Sequence, residues 1–209
     1  MELDVPVIGI LRGVESSFFH EIMETSFANG LQAIEVTMNT KQAEQIVAQN
    51  RDSVPEGRLL GMGTIRNLEE AKRAEDAGAM FFVTPNLDVE VVEYARAKSI
   101  PTIIGALTPT EVYKAWSAGA DMVKVFPCRA LGGPRYIKDL LGPFERIPLV
   151  AVGGVNASNL KEYFEAGSKA VGVSASLFGR EALKDKNLEA LAGNVKNFIE
   201  RCLDYSGKL

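Results

Sequence analysis

The sequence has little of the chemistry that metal sites and disulfide frameworks require. Among 209 residues there are one histidine and two cysteines. Mechanisms that need two or three imidazoles are excluded, and His20 is interpreted as a packing or surface residue. Because Cys128 and Cys202 form no paired-cysteine motif, neither a disulfide framework nor a zinc site is expected. We therefore expect no metal and a reducing, cytoplasmic location.

Two further classes of protein are disfavoured by charge and by the lack of long apolar runs. The formal net charge is −4, whereas nucleic-acid backbones recruit basic surfaces. No uncharged run approaches the roughly 18 residues that a membrane helix needs. Residues 1–4 lack the basic start and apolar segment of a signal peptide. We expect neither nucleic acid nor a membrane as a partner.

A recurring unit organises the chain: a helical stretch, a small-residue turn with glycine, and a short apolar strand. The four glycines, Gly30, Gly78, Gly119 and Gly167, follow one another at intervals of 48, 41 and 48 residues. Each suits the left-handed position that ends a helix. One interval is long enough for two strand–helix pairs, so the repeat predicts eight pairs in all.

The predicted elements alternate along the whole chain. Strands are expected at 5–11, 33–38, 58–64, 80–85, 101–107, 122–127, 148–154 and 170–173, and helices at 15–28, 40–49, 67–77, 88–98, 109–118, 134–142, 156–166 and 187–203. Capping residues support four helix starts, at Asn67, Asp88, Thr108 and Asn156. The strands are continuous apolar runs, which is typical of strands covered on both faces.

This alternation predicts an α/β fold, a single-domain (β/α)8 TIM barrel over residues 1–209. A doubly wound open sheet is the alternative architecture. It is less favoured because no dinucleotide motif follows a strand and because eight strands match closure of the barrel.

Lys124 is the most informative residue, because it interrupts the apolar run of residues 122–127. Burying an unpaired ammonium costs several kcal/mol, and such a group often loses its proton. A desolvated lysine with a lowered pKa is a nucleophile for carbonyl carbon. An edge-strand lysine, or one whose ammonium snorkels to solvent, is the structural alternative.

Other polar side chains lie near the carboxyl ends of the predicted strands, where the active site of such a barrel forms. They are Arg12, Glu35, Thr37, Thr64 and Thr84. Side chains alternate along a strand, so the barrel-facing set is expected to bring Glu35 and Lys124 into one cavity. A buried Glu35–Lys124 ion pair is the alternative, but such a pair is a weak source of stability, which favours a catalytic site.

The ends of strands seven and eight predict an anion site. Gly153 and Gly154 let backbone N–H groups approach an anion, and a helix capped near Asn156 follows. Residues 172–176 close strand eight, and the loops after strands seven and eight form the usual phosphate site of this architecture. The alternative is that the glycines serve turn geometry alone.

Together, these segments resemble the class I aldolases that cleave 2-keto-3-deoxy-6-phosphogluconate, with relatives acting on the galactonate epimer and on 4-hydroxy-2-oxoglutarate. The resemblance covers nearly the whole chain. It rests on the order and spacing of Ile-Leu-Arg at 10–12, Ile-Glu-Val-Thr at 34–37, Gly-Met-Gly-Thr at 61–64, Val-Thr-Pro at 83–85, Thr-Pro-Thr-Glu at 108–111, Val-Lys-Val-Phe-Pro at 123–127 and Val-Gly-Gly-Val at 152–155.

The resemblance implies a role for each candidate residue. Lys124 corresponds to the Schiff-base lysine and Glu35 to the general acid/base. The implied substrate-binding residues are Arg12 and Thr64 at the pyruvate end, Pro85 and Phe126 as walls, and Gly153 and Gly154 at the phosphate. Thr37, which shares a face with Glu35, and Ser174 and Ser176, which flank Ala175, complete the predicted substrate-binding set. The expected products are pyruvate and an aldehyde such as glyceraldehyde 3-phosphate. The family pattern implies no cofactor, and it implies a homotrimer.

Several positions depart from the family pattern. Asn39 stands where the family often has arginine or threonine, and Ile104 replaces proline after strand five. Ala175 occupies the usual phosphate-binding serine position, and the helix that often precedes strand one is expected to be short or absent. Other phosphate-binding barrel enzymes, such as an epimerase or a thiamin-phosphate synthase relative, and a diverged barrel without catalysis are therefore the rival functions.

Overall fold

The computed structural model describes residues 3–206, and the ends of the predicted 1–209 domain lie outside the described residues. Residues 1–2 belong to the segment 1–4, which was not expected to be a signal peptide, and they also lie outside the described residues. Residues 3–6 contain no regular secondary structure. The strands are β1 (Val7–Leu11), β2 (Ala33–Thr37), β3 (Leu59–Gly63), β4 (Phe82–Val83), β5 (Thr102–Ala106), β6 (Met122–Val125), β7 (Leu149–Val152) and β8 (Ala170–Val173). All pair in parallel, and β8 pairs with β1 to close the barrel.

Helices follow the strands around the outside. They are α1 (Ser16–Ala28), α2 (Ala43–Asn50), α3 (Leu68–Asp76), α4 (Val89–Ala97), α5 (Pro109–Ala118), α6 (Pro134–Leu141), α7 (Leu160–Glu165), α8 (Ala175–Phe178), α9 (Arg180–Lys184) and α10 (Leu188–Ser206). Short 3-10 helices occupy Arg51–Ser53 and Cys128–Leu131. The predicted (β/α)8 barrel is confirmed, and the open sheet is wrong because the sheet has no edge.

Local signals account for several helix boundaries. Gly30, Gly78, Gly119 and Gly167 all have left-handed φ angles, between 87° and 104°, as expected of residues that follow a helix. Asn67, Asp88 and Thr108 accept hydrogen bonds from first-turn N–H groups, and Thr108 forms a capping box with Glu111.

The predicted start of the seventh helix at residue 156 is wrong. The Asn156 side chain accepts hydrogen bonds from the Ser158 and Asn159 N–H groups and so stabilises a turn. The helix begins four residues later, at Leu160. The short helices α8 and α9 were not predicted, because neither is long enough to show a helical period.

Two apolar layers enclose the strands. The inner layer fills the barrel and includes Ile8, Phe81, Met122 and Val150, all buried. The outer layer packs strands against helices, with Phe19, Phe164 and Phe198 among its largest side chains. Burial on both faces explains the continuous apolar strands.

Strand register places the two charged residues in the inner layer. Lys124 follows Met122 by two residues and Glu35 follows Ala33 by two, so each shares the inward face of its neighbour. Lys124 pairs with Gly105 and Val150, whereas Glu35 pairs with Ile10 and Gly61. Both side chains therefore point toward the carboxyl-terminal mouth.

Among residues 3–206, no helix has the length and apolar content needed to cross a membrane. Cys128 and Cys202 are both buried.

Candidate active site

A cavity of about 540 Å³ opens at the carboxyl ends of the strands. It is lined by ten of the eleven predicted site residues, namely Arg12, Glu35, Thr64, Pro85, Lys124, Phe126, Gly153, Gly154, Ser174 and Ser176. The expectation that Glu35 and Lys124 share one cavity is confirmed. Between residues 3 and 206 there is no cluster of three or more histidine, cysteine or acidic side chains that could hold a metal ion.

Lys124 lies at the floor of this cavity and is only 5% exposed. Burial lowers the pKa of its ammonium, the neighbouring Arg12 cation lowers it further, and Glu35 opposes the shift. The Nζ atom lies 5.1 Å from the centre of the Phe126 ring. This site favours an uncharged, nucleophilic amine, and neither an edge-strand nor a snorkelling lysine fits the burial.

Glu35 is 1% exposed, and its Oε2 atom is buried with no hydrogen-bond partner. Burial raises the pKa of its carboxyl group, whereas Lys124 and Arg12 lower it. The attraction between the two charges is weaker than the effect of burial on either pKa. Burial therefore favours the neutral forms of both groups, which is an arrangement that can move protons rather than one that stabilises the fold.

Gly63 makes room for the Glu35 carboxyl group. A Cβ atom at this position would lie 2.4 Å from Glu35 Cδ. Gly105 has the same function for Pro85, since a Cβ there would lie 2.3 Å from the Pro85 carbonyl carbon. These two glycines determine how closely the Glu35 side chain and the Pro85 backbone can approach the neighbouring strands.

Arg12 follows β1 and lies at the rim. Its Nη1 donates to Asn39 Oδ1 at 2.9 Å, and its Nη2 donates to Thr64 Oγ1 at 3.4 Å. Thr64 has a left-handed φ of 58°, which is uncommon for a residue with a branched side chain. The guanidinium is therefore held from two neighbouring loops.

Thr37 is the predicted site residue that does not line the cavity. Its hydroxyl lies 3.1 Å from the Thr40 hydroxyl, which in turn accepts the Gly13 N–H at 2.9 Å. The side chain is completely buried. Thr37 thus supports the loop after β2 and joins it to the loop after β1.

The loops after β7 and β8 form the wall next to Arg12, because β8 pairs with β1. Gly153 and Gly154 both have positive φ angles, of 98° and 90°. The Gly154 carbonyl accepts from Asn159 Nδ2 at 2.9 Å, which fixes this loop against the turn before α7. Ser174 and Ser176 flank Ala175 at the start of α8, where the first N–H groups have no acceptor within the helix.

Sequence reasoning missed the apolar part of the lining. The additional residues are Ile10, Val152, Val155, Gly172, Val173 and Ala175. Alternation could have identified Ile10, Val152 and Gly172, because each precedes a predicted site residue by two positions and so shares its face. Thr84, by contrast, is structural: its hydroxyl accepts the Gly105 N–H and donates to the Asn86 carbonyl.

The chain is similar to known proteins over nearly its full length. It is 31% identical over 197 residues to the 2-dehydro-3-deoxy-6-phosphogalactonate aldolase of Escherichia coli (strain K12), which covers 94% of this chain and 96% of that protein. A solved structure described as native KDPGal superposes with a TM-score of 0.91 at 29% identity, covering 100% of this chain and 99% of that one.

A second solved structure is the KDPG aldolase from Legionella pneumophila with pyruvate captured at low pH as a covalent carbinolamine intermediate. It superposes with a TM-score of 0.83 at 27% identity and covers 97% of this chain and 94% of that one. The model of the KDPG and KHG aldolase family matches residues 3–193. With the barrel, the cavity and its buried lysine, this match shows that the chain belongs to the KDPG and KHG aldolase family.

Proposed function

We propose that the chain is a class I aldolase that reversibly cleaves a 2-keto-3-deoxy sugar acid to pyruvate and an aldehyde. The buried Lys124 in the same cavity as the buried Glu35 is the observation that carries the proposal. The substrate is proposed to be 2-dehydro-3-deoxy-6-phosphogluconate, its galactonate epimer or 4-hydroxy-2-oxoglutarate. The family membership and the aldolase relatives support this range.

The first step uses the nucleophilicity of Lys124. Its neutral Nζ adds to the C2 carbonyl carbon and gives a carbinolamine. Protonated Glu35 donates its proton to the carbinolamine hydroxyl, which leaves as water, so that an iminium ion and the Glu35 carboxylate form. The lowered pKa of Lys124 keeps the amine uncharged at a lower pH than an exposed lysine. The name of the Legionella pneumophila relative records a carbinolamine of this kind with pyruvate.

The second step breaks the C3–C4 bond. Glu35 takes the proton of the C4 hydroxyl, the aldehyde leaves, and the bonding electrons move into the iminium to give an enamine. Glu35 then returns a proton to C3, and water hydrolyses the new iminium to release pyruvate and neutral Lys124. Because the pKa of Glu35 is raised, its carboxyl group is suited both to accept the proton of the C4 hydroxyl and to donate a proton to C3.

The cavity presents two kinds of binding group, a cation with a hydroxyl and a set of backbone donors, which supports a separate partner for each end of the substrate. Arg12 supplies the cation and Thr64 a hydroxyl for the carboxylate, with Pro85 and Phe126 as walls. Gly153, Gly154, Ser174 and Ser176 present backbone N–H groups and hydroxyls for a phosphate. Thr37 is assigned to supporting the β2 loop.

Trapping tests the covalent step. Incubation with pyruvate and borohydride is expected to add the mass of a reduced pyruvyl group to Lys124 of the parent, and Lys124→Ala should show neither adduct nor turnover while it remains folded by circular dichroism. An unlabelled Lys124 in the folded parent would refute the lyase and leave the epimerase-like and non-catalytic barrels as the remaining functions.

A substrate panel tests the chemical class. Phosphorylated and unphosphorylated 2-keto-3-deoxy acids of both sugar series, with 4-hydroxy-2-oxoglutarate, are compared by pyruvate release. We expect the highest kcat/KM for a 6-phospho sugar acid. If pyruvate forms at the buffer rate with every compound, the assignment fails.

We also propose that the protein is a cytoplasmic homotrimer and that residues 1–209 form one barrel domain. The trimer rests on the family resemblance, and the low cysteine content supports a reducing compartment. Sedimentation equilibrium of the full chain tests the trimer, and a monomer mass at micromolar concentration would contradict it.

A further inference from the structure

Asn39 departs from the family pattern, and the proposed mechanism assigns it no task. It lies in the turn after β2, four residues beyond Glu35. Its Oδ1 atom accepts a hydrogen bond from Arg12 Nη1 at 2.9 Å. Asn39 itself does not line the reaction cavity, whereas Arg12 does. Any effect of Asn39 on the substrate therefore passes through Arg12.

The Arg12 side chain borders two cavities. Besides the reaction cavity it borders a neighbouring cavity of about 320 Å³, between the loop after β1 and helix α9. The second cavity is also lined by Glu15, Lys184 and Lys186. Glu15 could attract the guanidinium, although its Oε2 lies 2.5 Å from Lys186 Nζ. An exposed, flexible arginine between two cavities needs a fixed acceptor to remain in one of them.

Asn39, which supplies the acceptor for Arg12, is held in a fixed position. The loops after β1 and β2 are joined by the Thr37–Thr40–Gly13 chain of hydrogen bonds, and the Met38 N–H donates to the Gly63 carbonyl at 2.7 Å. Asn39 is thus held between a buried strand end and a fixed turn. A second, longer bond from Arg12 to Thr64 comes from the other side.

We propose that Asn39 is a positioning residue that holds Arg12 over the reaction cavity and thereby sets the affinity of the site for the carboxylate of its 2-keto acid. This inference rests on the proposed function. An arginine at this position would place a second cation beside Arg12, whereas the neutral asparagine lets Arg12 serve as the carboxylate partner.

The charges around Arg12 provide a second test of the proposal, through the pH dependence of the rate. The charged groups that line the two cavities with Arg12 are Glu35 on β2, Lys124 on β6, Glu15 before α1, Lys184 at the end of α9, and Lys186 beyond it. Arg12 lowers the pKa of both Glu35 and Lys124. If Arg12 moves toward the neighbouring cavity, both pKa values rise. The limb of the rate profile that requires neutral Lys124 then moves to higher pH.

The kinetic test compares Asn39→Leu, which removes the acceptor at similar size, with Asn39→Gln, which keeps a neutral amide acceptor. For the leucine variant we expect KM to rise about three- to tenfold, the scale of one hydrogen bond, with kcat within twofold and the rising pH limb displaced upward. The glutamine variant should keep KM within about twofold of the parent. Asn86→Leu, which removes an exposed amide elsewhere on the same rim, is the matched control and should change neither constant.

A double-mutant cycle separates positioning from general disturbance. In an Arg12→Met background, Asn39→Leu should change KM by less than about twofold, because the bond it removes is already gone. An unaltered KM in the single leucine variant, or the same increase in both backgrounds, overturns the proposal.

One test of the proposal does not depend on substrate turnover. The order parameter of the Arg12 Nε–H bond, measured by NMR relaxation in the full chain, should fall in Asn39→Leu relative to the parent. An unchanged order parameter overturns the positioning role whether or not the parent cleaves any substrate. Absence of a pyruvate adduct in the parent instead refutes the proposed function, so the two failures are distinguishable.

Discussion

At the scale of residues, burial changes the chemistry of two ordinary side chains. Removal from water raises the pKa of Glu35 and lowers the pKa of Lys124, and each charge partly opposes the shift of the other. A neutral amine beside a protonatable carboxyl group is what imine formation followed by C–C cleavage requires. Neither residue would have this character on the surface.

The pH dependence of adduct formation follows from the lowered pKa of Lys124. The amine is the reactive form, so the rate of imine formation with pyruvate rises with pH as Lys124 loses its proton. Because the pKa lies below the ordinary value of 10.5, we expect the rate to reach half its maximum below that pH. Borohydride trapping at a series of pH values measures this, and a midpoint at or above the ordinary value would contradict it.

Glu35→Gln removes the proton acceptor at almost constant shape. We expect kcat for cleavage to fall about 10²-fold or more, the usual effect of losing a general acid/base. Carbinolamine formation on Lys124 should persist, because the nucleophile is intact. Equal steady-state rates for this variant and the parent would refute the role of Glu35.

At the scale of elements, the ends of the strands position the site residues, and glycines on neighbouring strands leave the space that these residues occupy. Glu35 on β2 faces Gly63 on β3, and Pro85 after β4 faces Gly105 on β5. In each case the missing Cβ atom leaves room for an atom of the site. The stepwise register of a parallel barrel brings these elements to the same mouth.

Gly63→Ala tests this clearance. Its Cβ atom would lie 2.4–2.5 Å from the Glu35 carboxyl group, so the side chain must move. Displacement of a catalytic group by about 1 Å can lower the rate about 10²-fold, and we expect a loss of kcat of that order with the fold retained. Steady-state kinetics and circular dichroism measure both.

Gly193→Ala is the matched control for this variant. Gly193 lies in the exposed interior of α10, and its Cβ would meet nothing within 4 Å. Alanine there should leave kcat unchanged and increase the free energy of unfolding by up to about 1 kcal/mol. Equal kinetic losses in the two variants would show that the Gly63 effect is not specific to Glu35.

At the scale of the whole molecule, the barrel retains a site that lowers its stability. Two ionisable groups in the inner layer lose hydration on folding, and their mutual attraction offsets this loss only in part. The side chains of the inner cluster around them are apolar. Activity and stability are therefore expected to oppose one another at these positions.

The double variant Lys124→Met with Glu35→Gln tests this opposition. It removes both ionisable groups at similar volume, so the free energy of unfolding should increase by about 1 kcal/mol or more, while aldolase activity is lost. Urea unfolding of the variant and the parent at neutral pH measures the difference. A variant less stable than the parent would mean that the two groups stabilise the fold.

Local patterns determined the architecture and the chemistry. Apolar runs, the Gly30, Gly78, Gly119 and Gly167 turns and the capping residues depend on neighbours within a few positions, so the eight strand–helix pairs can be read from the chain. Lys124 was identifiable because a charge in a buried strand conflicts with its surroundings. Alternation then placed Glu35 on the inward face.

Only the tertiary structure decided which side chains meet. Thr37 was predicted at the substrate and instead bonds to Thr40, because the turn after β2 brings the two hydroxyls together. The Asn39–Arg12 bond joins residues that are 27 positions apart, and no local signal specifies such a contact. The shape of a cavity depends on distances between strands, which a linear pattern does not contain.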